Sequence, residues 1–131
     1  MQLEFIGRPP AIEGKVCEGL VCEGFDCKGE SIATANVTYV KFDGIWHRLC
    51  FDPGTVHWRT SSIEPTPWAV SEEEWNYPHV DVGFAAGLIG VKLKTYRALA
   101  TEHGASVVFE FENSRRVIIK DVDDRTSYEV I

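Results

Sequence analysis

A chain of 131 residues has room for one domain with a substantial core. With 44% hydrophobic and 25% charged residues its composition is globular, which excludes wholesale disorder. The net charge of −7 disfavours nucleic acid or anionic lipid as a partner and favours a basic protein.

The acid excess is uneven. Residues 60–91 carry Glu64, Glu72, Glu73, Glu74 and Asp81 with no Lys or Arg, so one segment holds most of it. Glu4 and Arg8 interrupt the only apolar run near the start, so no secretory signal is expected. No stretch approaches the ~20 apolar residues that cross a bilayer. The four cysteines (Cys17, Cys22, Cys27 and Cys50) are therefore expected as free thiols in a reducing cytoplasm.

Residues 11–30 read AIEGK–VCEGL–VCEGF–DCKGE, with glycine at 14, 19, 24 and 29 and Ile12, Cys17, Cys22 and Cys27 at matching positions. A period of five matches neither a strand nor a helix. The run resembles the pentapeptide-repeat solenoid. It places glycine where that family places Leu or Phe, however, and four units make about one coil. Short strands with Gly-bearing turns or bulges are the better expectation.

VTYVKFDG (37–44) predicts a strand entering a turn, and 45–60 a hairpin closed at Asp52-Pro53-Gly54-Thr55. A Pro53-Gly54 loop pairs Phe51 with Val56 and Leu49 with Trp58 on one face. It sets Cys50 beside His57 and Arg48 beside Arg59 on the other. Residues 61–87 contain Pro65, Pro67 and Pro78 and predict a long connection. Ser71 and Glu74 form a capping-box pattern that predicts one helical turn near 71–76. Across 90–104 a strand is favoured over a helix, at least for the first half. SVVFEFEN (106–113) alternates cleanly and predicts a hairpin with 115–122 through Asn113-Ser114, and a last short strand is expected from Tyr128. The expected fold is mainly β, with antiparallel hairpins or a meander in a single domain, 1–131, and one or two short helical segments. An α+β arrangement is the alternative.

Three constellations bear on function. Cys17, Cys22 and Cys27 fall five apart, at the edge of zinc-ligand spacing, and strand geometry turns such residues to opposite faces. Small buried thiols are expected rather than a metal site, even with His47 or His57 added. Cys50 beside His57 would be a thiol–imidazole pair, with Arg48 and Arg59 expected to lower the thiol pKa. Nothing names an orienting group or an oxyanion hole, so no catalytic residue and no cofactor is assigned. The third is the acidic aromatic segment: Glu64, Trp68, Glu72, Glu73, Glu74, Trp75, Tyr77 and Asp81. Trp and Tyr are enriched at the energetic centres of interfaces, and carboxylates around them select a basic partner.

The core W-x-R-L-x-F-D-x-G-x-x-x-W-R (Trp46, Arg48, Leu49, Phe51, Asp52, Gly54, Trp58, Arg59), followed by FEFEN, resembles the small intracellular immunity proteins of bacterial polymorphic toxin systems. That resemblance implies a non-enzymatic toxin inhibitor acting by occlusion of a basic toxin domain. The alternative expectation is a small-ligand-binding or enzymatic β-domain that uses the Arg48, Cys50, His57 and Arg59 strand face.

Overall fold

A computed structural model describes residues 3–131. Its chain runs through β1 (Glu4–Ile6), β2 (Gly19–Cys27), β3 (Glu30–Phe42), β4 (Ile45–Asp52) and β5 (Thr55–Ser61). Then come β6 (Trp68–Val70), β7 (Trp75–Tyr77), β8 (His79–Asp81) and the one-turn helix α1 (Val82–Ala85). The C-terminal part is β9 (Leu93–Thr101), β10 (Gly104–Phe111), β11 (Arg116–Val122) and β12 (Arg125–Val130). The larger sheet has the order β1-β5-β4-β3-β2-β7-β6, with β8 also beside β2, and the smaller is β12-β11-β10-β9. Neighbours are antiparallel except β1, which lies parallel to β5. The protein is thus mainly β, as its alternating hydrophobicity predicts.

The predicted registers hold where turn chemistry is strong. Gly54, at φ 71°, closes the β4–β5 hairpin, and Leu49 faces Trp58, Cys50 faces His57 and Arg48 faces Arg59. Ser114, at φ 69°, turns β10 into β11, and Val107, Phe109 and Phe111 are all buried on one face. Residues 93–101 are strand throughout, which extends the expectation for that segment past its first half.

The two sheets stack face to face. Leu20, Cys22, Val40, Leu49, Val56 and Trp58 from the larger meet Leu93, Val107, Phe109, Val117 and Ile119 from the smaller. Trp58 lies edge-on to Tyr96 at 5.8 Å and to Phe109 at 6.4 Å, which locks the sheets across the core. Residues 14–17 stitch the sheets together at one side. The Gly14 amide donates to the Leu93 carbonyl, Leu93 to Lys15 and Cys17 to Val91, and then Glu18 donates to Lys41 of β3.

The five-residue repeat dissolves into these elements. Cys17 sits in the stitching segment and Cys22 inside β2, both fully buried, and register shifts between Glu23 and Asp26 interrupt the strand before Cys27. Gly24 marks the irregularity: its amide bonds the Pro78 carbonyl, and a Cβ there would stand 3.1 Å from the Ala33 carbonyl oxygen. β7 and β8 share that edge of β2 on either side of Pro78, which lacks the N–H to continue one strand through. No helix among the described residues is long and apolar enough to cross a membrane.

Candidate functional site

The acidic aromatic segment is an edge hairpin, not an irregular connection. β6 and β7 pair Trp68 with Tyr77 and Val70 with Trp75, and β7 pairs Cys27 with Trp75 on β2. Side chains two apart on a strand share a face, so Phe25, Trp75, Tyr77 and Trp68 form one aromatic row. Trp68 stacks on Tyr77 at 3.9 Å and 7°, Tyr77 stacks on Phe25 at 5.2 Å, and Trp75 meets Phe25 edge-on at 6.1 Å. The row is not a second core layer, for Trp68 remains 50% exposed and Trp75 37%. Phe25 completes the stack and escapes a reading of residues 60–91 alone, because only the β2–β7 register brings it there.

Ser71–Glu73 make a single 3-10 turn between the two strands. The predicted capping box does not form. Val70 occupies the N-cap position without a side-chain hydrogen bond, and Glu74 takes a left-handed conformation at φ 55° instead of entering a helix. That kink returns the chain into β7, with the Glu74 amide donating to the Ser71 carbonyl at 3.2 Å. Glu72, Glu73 and Glu74 are exposed at the hairpin tip beside the row. Glu64 is exposed in the stretch between β5 and β6. None of these four carboxylates lies within ion-pair distance of a base among the described residues. Asp81 serves a local purpose: its Oδ1 accepts from the Phe84 amide at 3.1 Å and caps α1. The structure therefore gathers Trp68, Trp75, Tyr77 and the three successive glutamates, and places Asp81 at another element.

At the other end of the same sheet lies a cavity of about 450 Å³ on the outer face of β4 and β5, walled by β1 and the residues after it. Arg48 and Arg59 stand side by side across the hairpin, with Cys50 and His57 the next pair along. Parallel pairing of β1 sets Ile6 beside His57, and Gly7 and Arg8 continue along the wall. Gly7 is required there: at φ 79° a Cβ would fall 1.9 Å from the Trp58 carbonyl oxygen. Arg8 and the β1 wall leave no signal in the sequence, because three residues show no periodicity and a parallel partner lies about fifty residues away.

The chemistry of this face departs from the sequence-based expectation in one respect. Burial raises the Cys50 thiol pKa, and it outweighs the opposing pull of Arg48, whose Nη1 sits 3.8 Å from Sγ. Burial thus favours the neutral thiol form of Cys50 over the thiolate. Burial also pushes Cys17 up to about 11 and Cys22 up to about 12, and all four cysteines are free. Asp52 Oδ2 stands 2.8 Å from His57 Nε2, but without the alignment of a hydrogen bond, and Nε2 has no hydrogen-bond partner among the described residues. Inward along the sheet, burial raises the Tyr39 phenol, with Glu23 adding to it and Arg48 opposing. His79 Nε2 meets the buried Glu23 carboxylate at 2.9 Å. No three His, Cys, Asp or Glu side chains converge as a metal site among the described residues.

No family model, no curated protein and no solved structure matches this chain.

Proposed function

We propose that this protein is a binding module for a basic protein partner, engaged through the β6–β7 hairpin. The observation that carries the reading is the Trp68–Tyr77–Phe25–Trp75 row, which stays half in solvent beside three carboxylates without counter-ions. Stacked rings held by a sheet lose little rotamer freedom on binding, so their burial under a partner is gained at low entropic cost. Glu72, Glu73 and Glu74 at the tip steer a cationic surface toward that row. Among the described residues β6 pairs on one side only, so its free edge can also hydrogen-bond an extended partner segment.

Within this reading, the immunity-type resemblance of the Trp46–Arg59 core supplies the mechanism. The hairpin enters the basic active-site cleft of a toxin domain, and its carboxylates occupy the positions an anionic substrate would take. The setting is cytoplasmic, which the four free thiols support.

The test is native mass spectrometry on the protein isolated gently from its own cells, beside a Glu72→Lys/Glu73→Lys/Glu74→Lys variant. A stoichiometric complex with a basic protein is expected for the native chain and none for the variant. Trp68→Ala should weaken the same complex by about 2 kcal/mol or more, as truncation of a central aromatic does. An equally stable complex with the triple variant would overturn the acidic hairpin as the binding surface.

A further inference from the structure

The cavity on the outer face of β1, β5 and β4 is untouched by a partner bound at the β6–β7 hairpin, since the two lie at opposite ends of the sheet order. Its volume of about 450 Å³ falls within the roughly 300–1,000 Å³ of small-ligand sites. Its charge is the reverse of the molecule's. The first 96 residues contain three arginines, Arg8, Arg48 and Arg59, and all three line this one cavity, whereas no Asp or Glu does. None of the three guanidinium groups makes an ion pair among the described residues, in a chain with seven more acids than bases.

Arg48 and Arg59 are direct cross-strand partners. Like charges at such positions repel, and the repulsion is ordinarily relieved by a neighbouring acid. Among the described residues no carboxylate stands within ion-pair distance of either guanidinium. An oxyanion seated between the two would relieve the repulsion, accepting paired N–H donors from each planar fork. A third guanidinium exceeds what the two oxygens of one carboxylate can engage and suits the oxygens of a phosphate. His57 lies on the same face, its Nε2 buried 2.8 Å from the Asp52 carboxylate but without an aligned hydrogen bond among the described residues. The cavity is larger than a bare phosphate requires, and Ile6 gives it an apolar wall for an organic remainder.

We infer that this cavity binds a small phosphorylated molecule, with the phosphate held between Arg48 and Arg59 and Arg8 closing over it. The rest of the surface disfavours polyanions, so the ligand is a small ester and not a nucleic acid backbone or an anionic bilayer.

The experiment is thermal unfolding and calorimetric titration of the whole protein with inorganic phosphate, ribose 5-phosphate and a short single-stranded oligonucleotide. Ionic strength is held with sodium chloride throughout. Binding of ribose 5-phosphate, tighter than that of inorganic phosphate, is expected, with a rise in melting temperature. Arg48→Ala or Arg59→Ala should weaken it about tenfold or more, and Arg48→Lys should not restore it, because an ammonium cannot reproduce the fork. Arg8→Ala, outside every strand, weakens binding without touching the hairpin and guards against loss of fold. A second signature belongs to the ligand-free protein. There Arg59→Ala should melt no lower than the native chain, since it removes a repulsion, and the order should reverse in saturating ligand. No heat and no shift at millimolar concentrations of either phosphate compound would overturn the inference, as would affinity unchanged in all three alanine variants. Binding of the oligonucleotide alone would overturn it too, placing the anion on an open surface. These results are independent of partner capture, so failure here leaves the hairpin reading standing, and the converse.

Discussion

Asp121 on β11 is 4% exposed, and the Thr126 hydroxyl donates to its Oδ1 at 3.4 Å. Burial foremost, and then the nearby Asp124, raise its pKa above the ordinary carboxyl value, while the Thr126 bond opposes them. A folded-state pKa raised above the unfolded one adds stability only below the unfolded value, and that stability is lost as pH rises through the folded value. At neutral pH the carboxylate is thus held in the fold at a cost. Asp121→Asn, which keeps an acceptor for Thr126, should raise the denaturation midpoint at pH 7. The gain should shrink as pH falls toward the carboxyl range; urea titrations at several pH values check both parts. At this scale the sequence was legible for side-chain neighbours and not for their titration. Cys50, His57, Arg48 and Arg59 are paired as predicted, yet the thiol shift has the opposite sign. Spacing reveals the arginines beside Cys50, whereas the burial that outweighs them depends on the whole sheet.

The β4–β5 and β10–β11 hairpins were readable because a turn residue fixes each register and alternation fixes each face. In the 61–87 stretch the prolines suggest a connection and hide three strands of three residues, each too short to show a period. Its tip also misled: Ser71 and Glu74 fit a capping box, but Glu74 is spent on the left-handed kink that starts β7. The hairpin these elements make is lightly held, joined to β2 through two register pairs, Asp26 with Asn76 and Cys27 with Trp75, and by the Lys28 amide donating to the Glu74 carbonyl. Its amides should therefore exchange by local opening, well before those of β10 and β11, whose buried residues open only with the whole fold. Hydrogen exchange followed by mass spectrometry resolves the two. Equal protection would mean that the aromatic stack holds the hairpin as firmly as the core.

Across the whole molecule, stability rests on two sheets closing on one another, and Trp58 is the side chain that reaches both Tyr96 and Phe109. Trp58→Ala should cost about 3–5 kcal/mol, read as a lower urea midpoint, because no neighbour can refill the space between two hydrogen-bonded sheets. The sequence announced a mainly antiparallel β-fold correctly, for that follows from alternation. It could not announce how the sheets are joined, since the 14–17 stitch works through backbone bonds to residues 91–93 that side-chain pattern does not encode. Nor could it reveal the parallel pairing of β1 with Thr55–His57. That pairing has a consequence for birth on the ribosome. At about 5–20 residues per second, β1 waits roughly 3–10 s after its own synthesis before its partner strand exists. During that interval the first wall of the cavity is loose chain, and Gly7 has no Trp58 carbonyl to approach. The outer cavity is therefore assembled from a segment made early and placed late.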